Sequence, residues 1–210
     1  VPTEIAEKLQ LPNEFLNESH VQGYYGTVSH NTKAVYTKYL GWYDGNPANL
    51  NPLPPVESAK KYVEYMGGTV ELISKATKAF EEGDYRWVVQ VMNHAVFADP
   101  NNAEARNLQA DAFEQLGYQS ESGTWRNAYL TAARELRYGS LRIPASMGRQ
   151  IAHAITIDQL FDMIGVRFDP KKFDSGPSRI NWHFSDLGED HVLGIQNLTI
   201  YHDPNTSDDK

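Results

Sequence analysis

The segment from residue 23 to residue 31 holds the densest group of side chains that could do chemistry. It contains Tyr24, Tyr25, Ser29, His30 and Asn31. A histidine beside hydroxyl and amide groups can transfer a proton and donate hydrogen bonds to an anionic oxygen. The same composition is also typical of an aromatic segment that wraps another domain and holds its histidine in a structural hydrogen bond. Spacing alone leaves both interpretations open.

The other histidines form no recognisable metal motif. None lies four residues from another histidine with a glutamate between them, the spacing that places two zinc ligands on one helix face. His183 and His191 could face each other across a hairpin, but a third ligand is lacking nearby. The chain also has no cysteine, which excludes disulfides and thiol catalysis. We therefore expect no metal site within this chain.

Two acidic clusters also have the residue types of a catalytic carboxylate pair. They are Glu81, Glu82 and Asp84, and Glu189 with Asp190. Both clusters fall at predicted turns, where carboxylates are usually solvated and lack the burial that sets their pKa values apart. We expect neither cluster to be catalytic.

Length and composition limit the functions that this chain can have. With 210 residues, 40% hydrophobic and 22% charged, it is an ordinary globular chain. Its net charge of -8, without a lysine or arginine block, argues against nucleic-acid binding. No apolar stretch approaches the roughly 20 residues of a membrane span. The absence of cysteine favours a periplasmic or secreted bacterial protein over a cytoplasmic one, although many cytosolic proteins also lack cysteine.

The beginning of the chain does not look like a natural start. Val1 is followed by neither a basic nor an apolar region, so the segment is not a signal peptide. We expect a processed or cut product. A short helix is predicted within residues 1–22, and a long irregular segment over residues 23–55, where prolines recur.

Five helices are predicted between residues 56 and 138. Their predicted ranges are 57–66, 69–82, 85–98, 103–116 and 123–137. Thr69 and Asp84 are predicted to cap two of these helices, and Gly117 to end the fourth. The apolar stripe of Trp87, Val88, Val91 and Met92 is predicted to face the core.

Within this block, small and aromatic residues recur in a tetratricopeptide-like pattern. Ala79 and Phe80, then Ala95, then Ala105 lie where paired helices would touch, and Pro100 ends a pair. Only about one and a half units are visible, so the array needs a neighbour or a second copy to cover its apolar face.

In the last part of the chain, the sequence pattern predicts a helix followed by a small sheet. Thr156 and Gln159 form a capping box before a helix whose apolar face carries Ile157, Leu160, Phe161 and Ile164. Residues 179–184 alternate, with Ile180, Trp182 and Phe184 inward, and residues 192–201 are predicted as a second strand. Two strands and a helix cannot bury a stable core, so we expect an incomplete sheet.

Several motifs together resemble the alkyl sulfatases of the metallo-β-lactamase superfamily, which hydrolyse dodecyl sulfate. The resemblance covers nearly the whole chain and is specific over residues 23–137. It rests on the runs 24–31, 39–50, 65–68, 84–87, 116–119 and 125–130. The predicted fold is mainly α: a tetratricopeptide-like dimerisation domain, then the start of an α+β domain like sterol carrier protein 2.

The resemblance implies three regions. Residues 1–55 would be the C-terminal edge of the catalytic domain, residues 56–143 the dimerisation domain, and residues 144–210 the start of the carrier-like domain. It implies a homodimer and a di-zinc site in an N-terminal catalytic domain. The family's zinc-ligand motif is absent from this sequence, so this segment alone would bind no zinc and be inactive.

The resemblance also implies that the segment around His30 lines the sulfate pocket. His30 and Tyr25 are then the candidate catalytic residues, and Ser29, Asn31 and Tyr36 the candidate substrate-binding residues for an alkyl sulfate ester. Two alternatives remain: a non-catalytic tetratricopeptide-like interaction module, and a lipid-carrier-like binding module. The run 24–50 favours the sulfatase, because neither alternative has a reason to hold it.

Overall fold

A computed structural model describes residues 1–141 and 153–204. Its contacts divide the chain into two compact units, Val1–Leu141 and Arg142–Lys210. The first unit is helical, and the described part of the second combines a helix with an antiparallel sheet, so the mainly α prediction is confirmed. The predicted boundary near residue 143 lies outside the described residues. None of the helices in the described ranges is long and apolar enough to cross a bilayer.

The five predicted helices of the first unit are all present, preceded by two others. The helices are α1 (Pro2–Lys8), α2 (Val28–Leu40), α3 (Pro55–Tyr65), α4 (Thr69–Glu81), α5 (Tyr85–Ala98), α6 (Ala103–Gln119) and α7 (Gly123–Tyr138). Two cap predictions were inexact. Gly68, not Thr69, is the N-cap of α4, and Asp84 caps α5 by position without a side-chain hydrogen bond.

The segment predicted as irregular contains a regular helix, so that prediction was wrong. Helix α2 begins after Thr27, whose hydroxyl accepts a hydrogen bond from the backbone N–H of His30 at 2.9 Å. It ends at Gly41, which adopts a φ of 80°. Both signals are in the sequence, but no buried side chain lies on this helix. The apolar periodicity that usually reveals a helix is therefore missing.

Helices α3 to α6 surround the core of the first unit. Val88 and Met92 are fully buried at its centre, and Val91 lies beside them. Three of the four predicted stripe residues are therefore confirmed as core, whereas Trp87 is 51% exposed. Ala95 and Ala105 are also buried, as expected for small residues at helix contacts.

Helices α6 and α7 approach each other closely at Gly117. A Cβ atom at this position would stand 2.8 Å from Cδ2 of Leu130 on α7, closer than real Cβ atoms approach. Gly117 was predicted to end α6, but the helix continues to Gln119. The glycine is therefore explained by the helix crossing rather than by a helix end.

An ion-pair network joins the same two helices, between the middle of α6 and the last turn of α7. The guanidinium of Arg137 lies 2.6 Å from a carboxylate oxygen of Glu114 and 2.5 Å from one of Asp111. The hydrogen bond from Arg137 lowers the pKa of Glu114, and the same contact raises the pKa of Arg137. The network therefore favours the charged form of both partners.

This network predicts an acid-sensitive contribution to stability. Because the pKa of Glu114 is lower in the folded chain, its stabilisation is present above the ordinary glutamate pKa, about 4.3, and is lost as pH falls through the folded value. We expect Glu114→Gln to lower the unfolding free energy by about 0.5–1 kcal/mol at pH 7, because the pair is partly screened by solvent. Denaturant unfolding at several pH values tests this. A deficit that does not shrink in acid would contradict it.

The second unit has one more strand than predicted. Helix α8 (Ile157–Arg167) precedes strands β1 (Ser178–Phe184), β2 (Glu189–Gln196) and β3 (Thr199–Pro204), which pair antiparallel in the order β1-β2-β3 within the described residues. The single strand predicted over residues 192–201 is broken by a tight turn. There Asn197 and Leu198 adopt φ values of 51° and 58°, and leucine is an unusual residue for this conformation.

The alternation predicted for β1 is not observed, because Ile180 is 52% and Trp182 41% exposed and only Phe184 is half-buried. Helix α8 covers one face of the sheet through Phe161. The capping box of Thr156 and Gln159 is confirmed. Phe161 is the buried residue of α8 and contacts Trp182 and Phe184 on β1. The other three predicted face residues are not buried, and Leu160 and Ile164 are more than a third exposed.

Histidine pairing in the sheet differs from the prediction. His183 does not face His191. Its ring lies 2.6 Å from the carboxylate of Asp190, whereas His191 is the strand partner of Trp182. The acidic cluster of Glu81, Glu82 and Asp84 is exposed, as predicted. In the second acidic cluster, Glu189 lies 3.1 Å from His191.

Candidate functional site

The first turn of α2 positions two of the candidate side chains. Thr27 fixes the start of the helix, so His30 and Asn31 follow within one turn of its N-terminus. The side chain of Asn31 lies over Gly26, where a Cβ atom would stand 3.1 Å from its Oδ1 atom. A larger residue at Gly26 would therefore displace Asn31.

Helix α7 holds the segment before α2 in place. The hydroxyls of Ser122 and Thr124 both donate to the carbonyl of Tyr25, at 2.6 and 2.8 Å. The backbone N–H of Gly123 donates to the carbonyl of Tyr24 at 2.7 Å. Ser122 is 1% exposed and also serves as the N-cap of α7. We call these three contacts the α7 clamp.

The same helix orients His30. The indole Nε1–H of Trp125 donates to Nδ1 of His30 at 3.2 Å, and the two rings meet edge to face. Because an indole nitrogen can only donate, Nδ1 of His30 carries no proton in this geometry. The remaining proton of a neutral ring is then on Nε2. His30 is exposed, so this N–H can reach a ligand.

The other candidates are distributed around this point rather than converging on it. Ser29 lines a cleft beside α2, described below. Tyr36 is half-buried and lies on the same helix face as Ser29, two turns further along. The side chain of Tyr25 is 81% exposed, although its carbonyl is in the α7 clamp.

The cleft has a volume of about 660 Å³ and lies among α1, α2, α5, α6 and α7. Two cations line it. Arg86 pairs with Glu7 at 2.8 Å, a contact that lowers the pKa of Glu7 and raises that of Arg86. The ammonium of Lys33 lies 5.3 Å from the centre of the Trp125 ring.

Sequence reasoning missed the residues that assemble this region. Lys33, Arg86, Ser122 and Trp125 come from three helices and show no common motif. Ser122 could have been found as an N-cap before a helix. Its bond to Tyr25 spans 97 residues and leaves no local signal.

Comparison with known families decides the affiliation of this chain. Residues 1–139 match the family model described as alkyl sulfatase dimerisation, and residues 145–210 match the one described as alkyl sulfatase C-terminal. The chain belongs to the alkyl sulfatase family.

Individual alkyl sulfatases show how much of the chain is shared. It is 50% identical to alkyl/aryl-sulfatase BDS1 of Saccharomyces cerevisiae over 94% of its length, which is 30% of that protein. It is 48% identical to an (R)-specific secondary-alkylsulfatase of a Pseudomonas species over 91% of its length, which is 29% of that protein. This chain thus spans about 30% of the length of these two relatives.

A solved alkyl sulfatase has the same fold over this part. The stereoselective inverting sec-alkylsulfatase Pisa1 from a Pseudomonas species is 45% identical and superposes with a TM-score of 0.88. The superposition covers 100% of this chain and 33% of Pisa1. A double mutant of the same enzyme gives a TM-score of 0.86 over 98% of the chain.

Proposed function

We propose that this chain is the dimerisation and C-terminal part of a zinc-dependent alkyl sulfatase. The enzyme would hydrolyse alkyl sulfate esters such as dodecyl sulfate to an alcohol and inorganic sulfate. The observation that carries the proposal is the match of both parts of the chain to consecutive alkyl sulfatase models. The catalytic part lies in the remainder of the longer relatives.

The zinc proposal concerns residues outside this chain. The family resemblance implies a di-zinc centre in a metallo-β-lactamase-type domain, which would supply an activated water or hydroxide. The side chains around His30 are hydroxyl, amide and indole groups rather than a zinc-ligand set. The contribution of this chain is therefore to bind and orient the ester.

His30 is best suited to hold a negatively charged oxygen. With Nδ1 occupied by the Trp125 N–H, the ring offers Nε2–H as a donor. A neutral imidazole is a weak acid but a good hydrogen-bond donor to a sulfate oxygen or a departing alkoxide. Ser29 and Asn31, from the same helix, and Tyr25 and Tyr36 would add further polar contacts to the ester.

The regional assignments remain part of the proposal. Residues 1–55 would border the catalytic domain, although the dimerisation model includes them. Exposed aromatic side chains support a covering partner for this segment, since Tyr25, Tyr39 and Trp42 are each more than 70% exposed. We also retain the tetratricopeptide-like description of the helical unit, the carrier-like description of the second unit, and a periplasmic or secreted location.

The test of the function is an assay of the longer protein for dodecyl sulfate hydrolysis, read as sulfate release and bound zinc. We expect activity that is lost on removal of zinc and restored on its return. The 210-residue chain serves as the matched control and should release no sulfate. A longer protein that folds and holds more zinc than the 210-residue chain but hydrolyses no alkyl sulfate would refute the proposal.

Self-association is the second expected property, because the family uses this part for dimerisation. Sedimentation of the 210-residue chain at micromolar concentration should give a dimer. The Tyr39→Ser/Trp42→Ser double variant then shows which surface is used. A monomeric variant places this patch in the dimer interface, and a dimeric one shows that the dimer forms through another surface. A monomeric wild-type chain with normal helicity would contradict the proposed dimer.

A further inference from the structure

Three side chains of the second unit converge although they are distant in sequence. His191 on β2, His202 on β3 and Asp158 at the start of α8 place one ligand atom each within 4.8 Å of one another. Nδ1 of His191 lies 2.9 Å from Nε2 of His202. Oδ1 of Asp158 lies 3.5 Å from that His202 nitrogen and 3.8 Å from Nδ1 of His191.

These separations suit a tetrahedral metal ion. Ligand atoms about 2.0–2.1 Å from zinc stand about 3.3 Å apart at tetrahedral angles, a value that the three observed distances bracket. Two imidazoles and one carboxylate, with a fourth position left for water, are an established zinc ligand set. The side chain of Asp158 is 59% exposed, which leaves solvent access for that water.

The surroundings fit metal ligands rather than free surface histidines. His191 is 3% exposed. Its Nε2 atom lies 3.1 Å from a carboxylate oxygen of Glu189. A carboxylate that accepts the second N–H of a ligating histidine fixes the tautomer that frees Nδ1 for the metal. Phe161 packs against both imidazoles, with ring centres 5.7 and 4.9 Å away, and supplies an apolar wall.

We propose that Asp158, His191 and His202 bind a divalent zinc-like metal ion that joins α8 to the β2–β3 hairpin. The inference replaces the expectation that this chain binds no metal. Sequence analysis missed the site because it paired His191 with His183, whereas the structure places His191 beside His202 on β3 and Asp158 on α8. The site is independent of the proposed sulfatase activity.

The test is a calorimetric titration of the chelator-treated 210-residue chain with Zn²⁺ near neutral pH, with thermal unfolding followed by circular dichroism. We expect one Zn²⁺ per chain and a higher unfolding temperature with zinc. His202→Ala and Asp158→Asn should both abolish tight binding. Glu189→Gln, which removes only the outer contact, should weaken it by about 10–100-fold.

His183→Ala is the matched control, since this histidine lies on the neighbouring strand and pairs with Asp190 instead. It should retain full zinc affinity. If His202→Ala fails to fold, Asp158→Asn decides the outcome, because that position is exposed. The proposal is overturned if the wild-type chain takes up no zinc. Equal zinc binding by wild type and Asp158→Asn would also overturn it.

Discussion

Replacing His30 with alanine in the longer protein is expected to lower the turnover number by about 100-fold or more, with little loss of stability. Removal of one donor to a developing negative charge has effects of this size. The stability effect is small because His30 is exposed and its side-chain hydrogen bond is to Trp125. Turnover per folded enzyme and the unfolding temperature should be measured on the same preparations.

Two further variants separate the possible roles of His30. His20→Ala removes another exposed histidine and should leave turnover unchanged. Trp125→Phe removes the indole N–H and should lower turnover less than loss of the imidazole. If His30→Ala lowers only the unfolding temperature, the segment around His30 has a structural role and no catalytic one. Turnover and unfolding temperature should be measured in the same way for Tyr25→Phe.

Replacing Met92 with alanine should destabilise the helical unit by about 2–5 kcal/mol, the cost of deleting a large buried side chain. Met92 is fully buried at the centre of the core formed by α3 to α6. Denaturant unfolding followed by helical circular dichroism measures the effect.

Met163→Ala is the control for this substitution, since it removes the same atoms from a side chain that is 47% exposed on α8. Its cost should be below about 1 kcal/mol, because surface substitutions usually lie within about 0.5 kcal/mol of neutral. Equal losses at Met92 and Met163 would show that the helical core is not organised as described.

The elements predicted correctly from the sequence are those that have both a local start or stop signal and a buried apolar face. Helices α3 to α7 have both, through glycine or cap residues and through core positions such as Val88. Helix α2 has the caps Thr27 and Gly41 but no buried side chain, and it was missed. The β2–β3 turn was missed because Leu198 replaces the glycine that normally marks such a turn.

The candidate site was predictable by residue type but not by geometry. The segment containing His30 was found because its side chains are chemically unusual together. Its partners Ser122 and Trp125 are ordinary residues whose importance comes only from how α7 packs beside it. No property of residues 23–31 alone could show which nitrogen of His30 remains free.

The α7 clamp has a consequence for the order in which the chain folds. Ser122 and Tyr25 are 97 residues apart, whereas the core contacts join helices that follow one another closely. Contacts between distant residues carry a larger loop-closure entropy and form later. Helices α3 to α6 can therefore assemble while the segment around His30 is still unattached. This segment is also expected to open without global unfolding, so its amide hydrogens should exchange with solvent sooner than those around Met92.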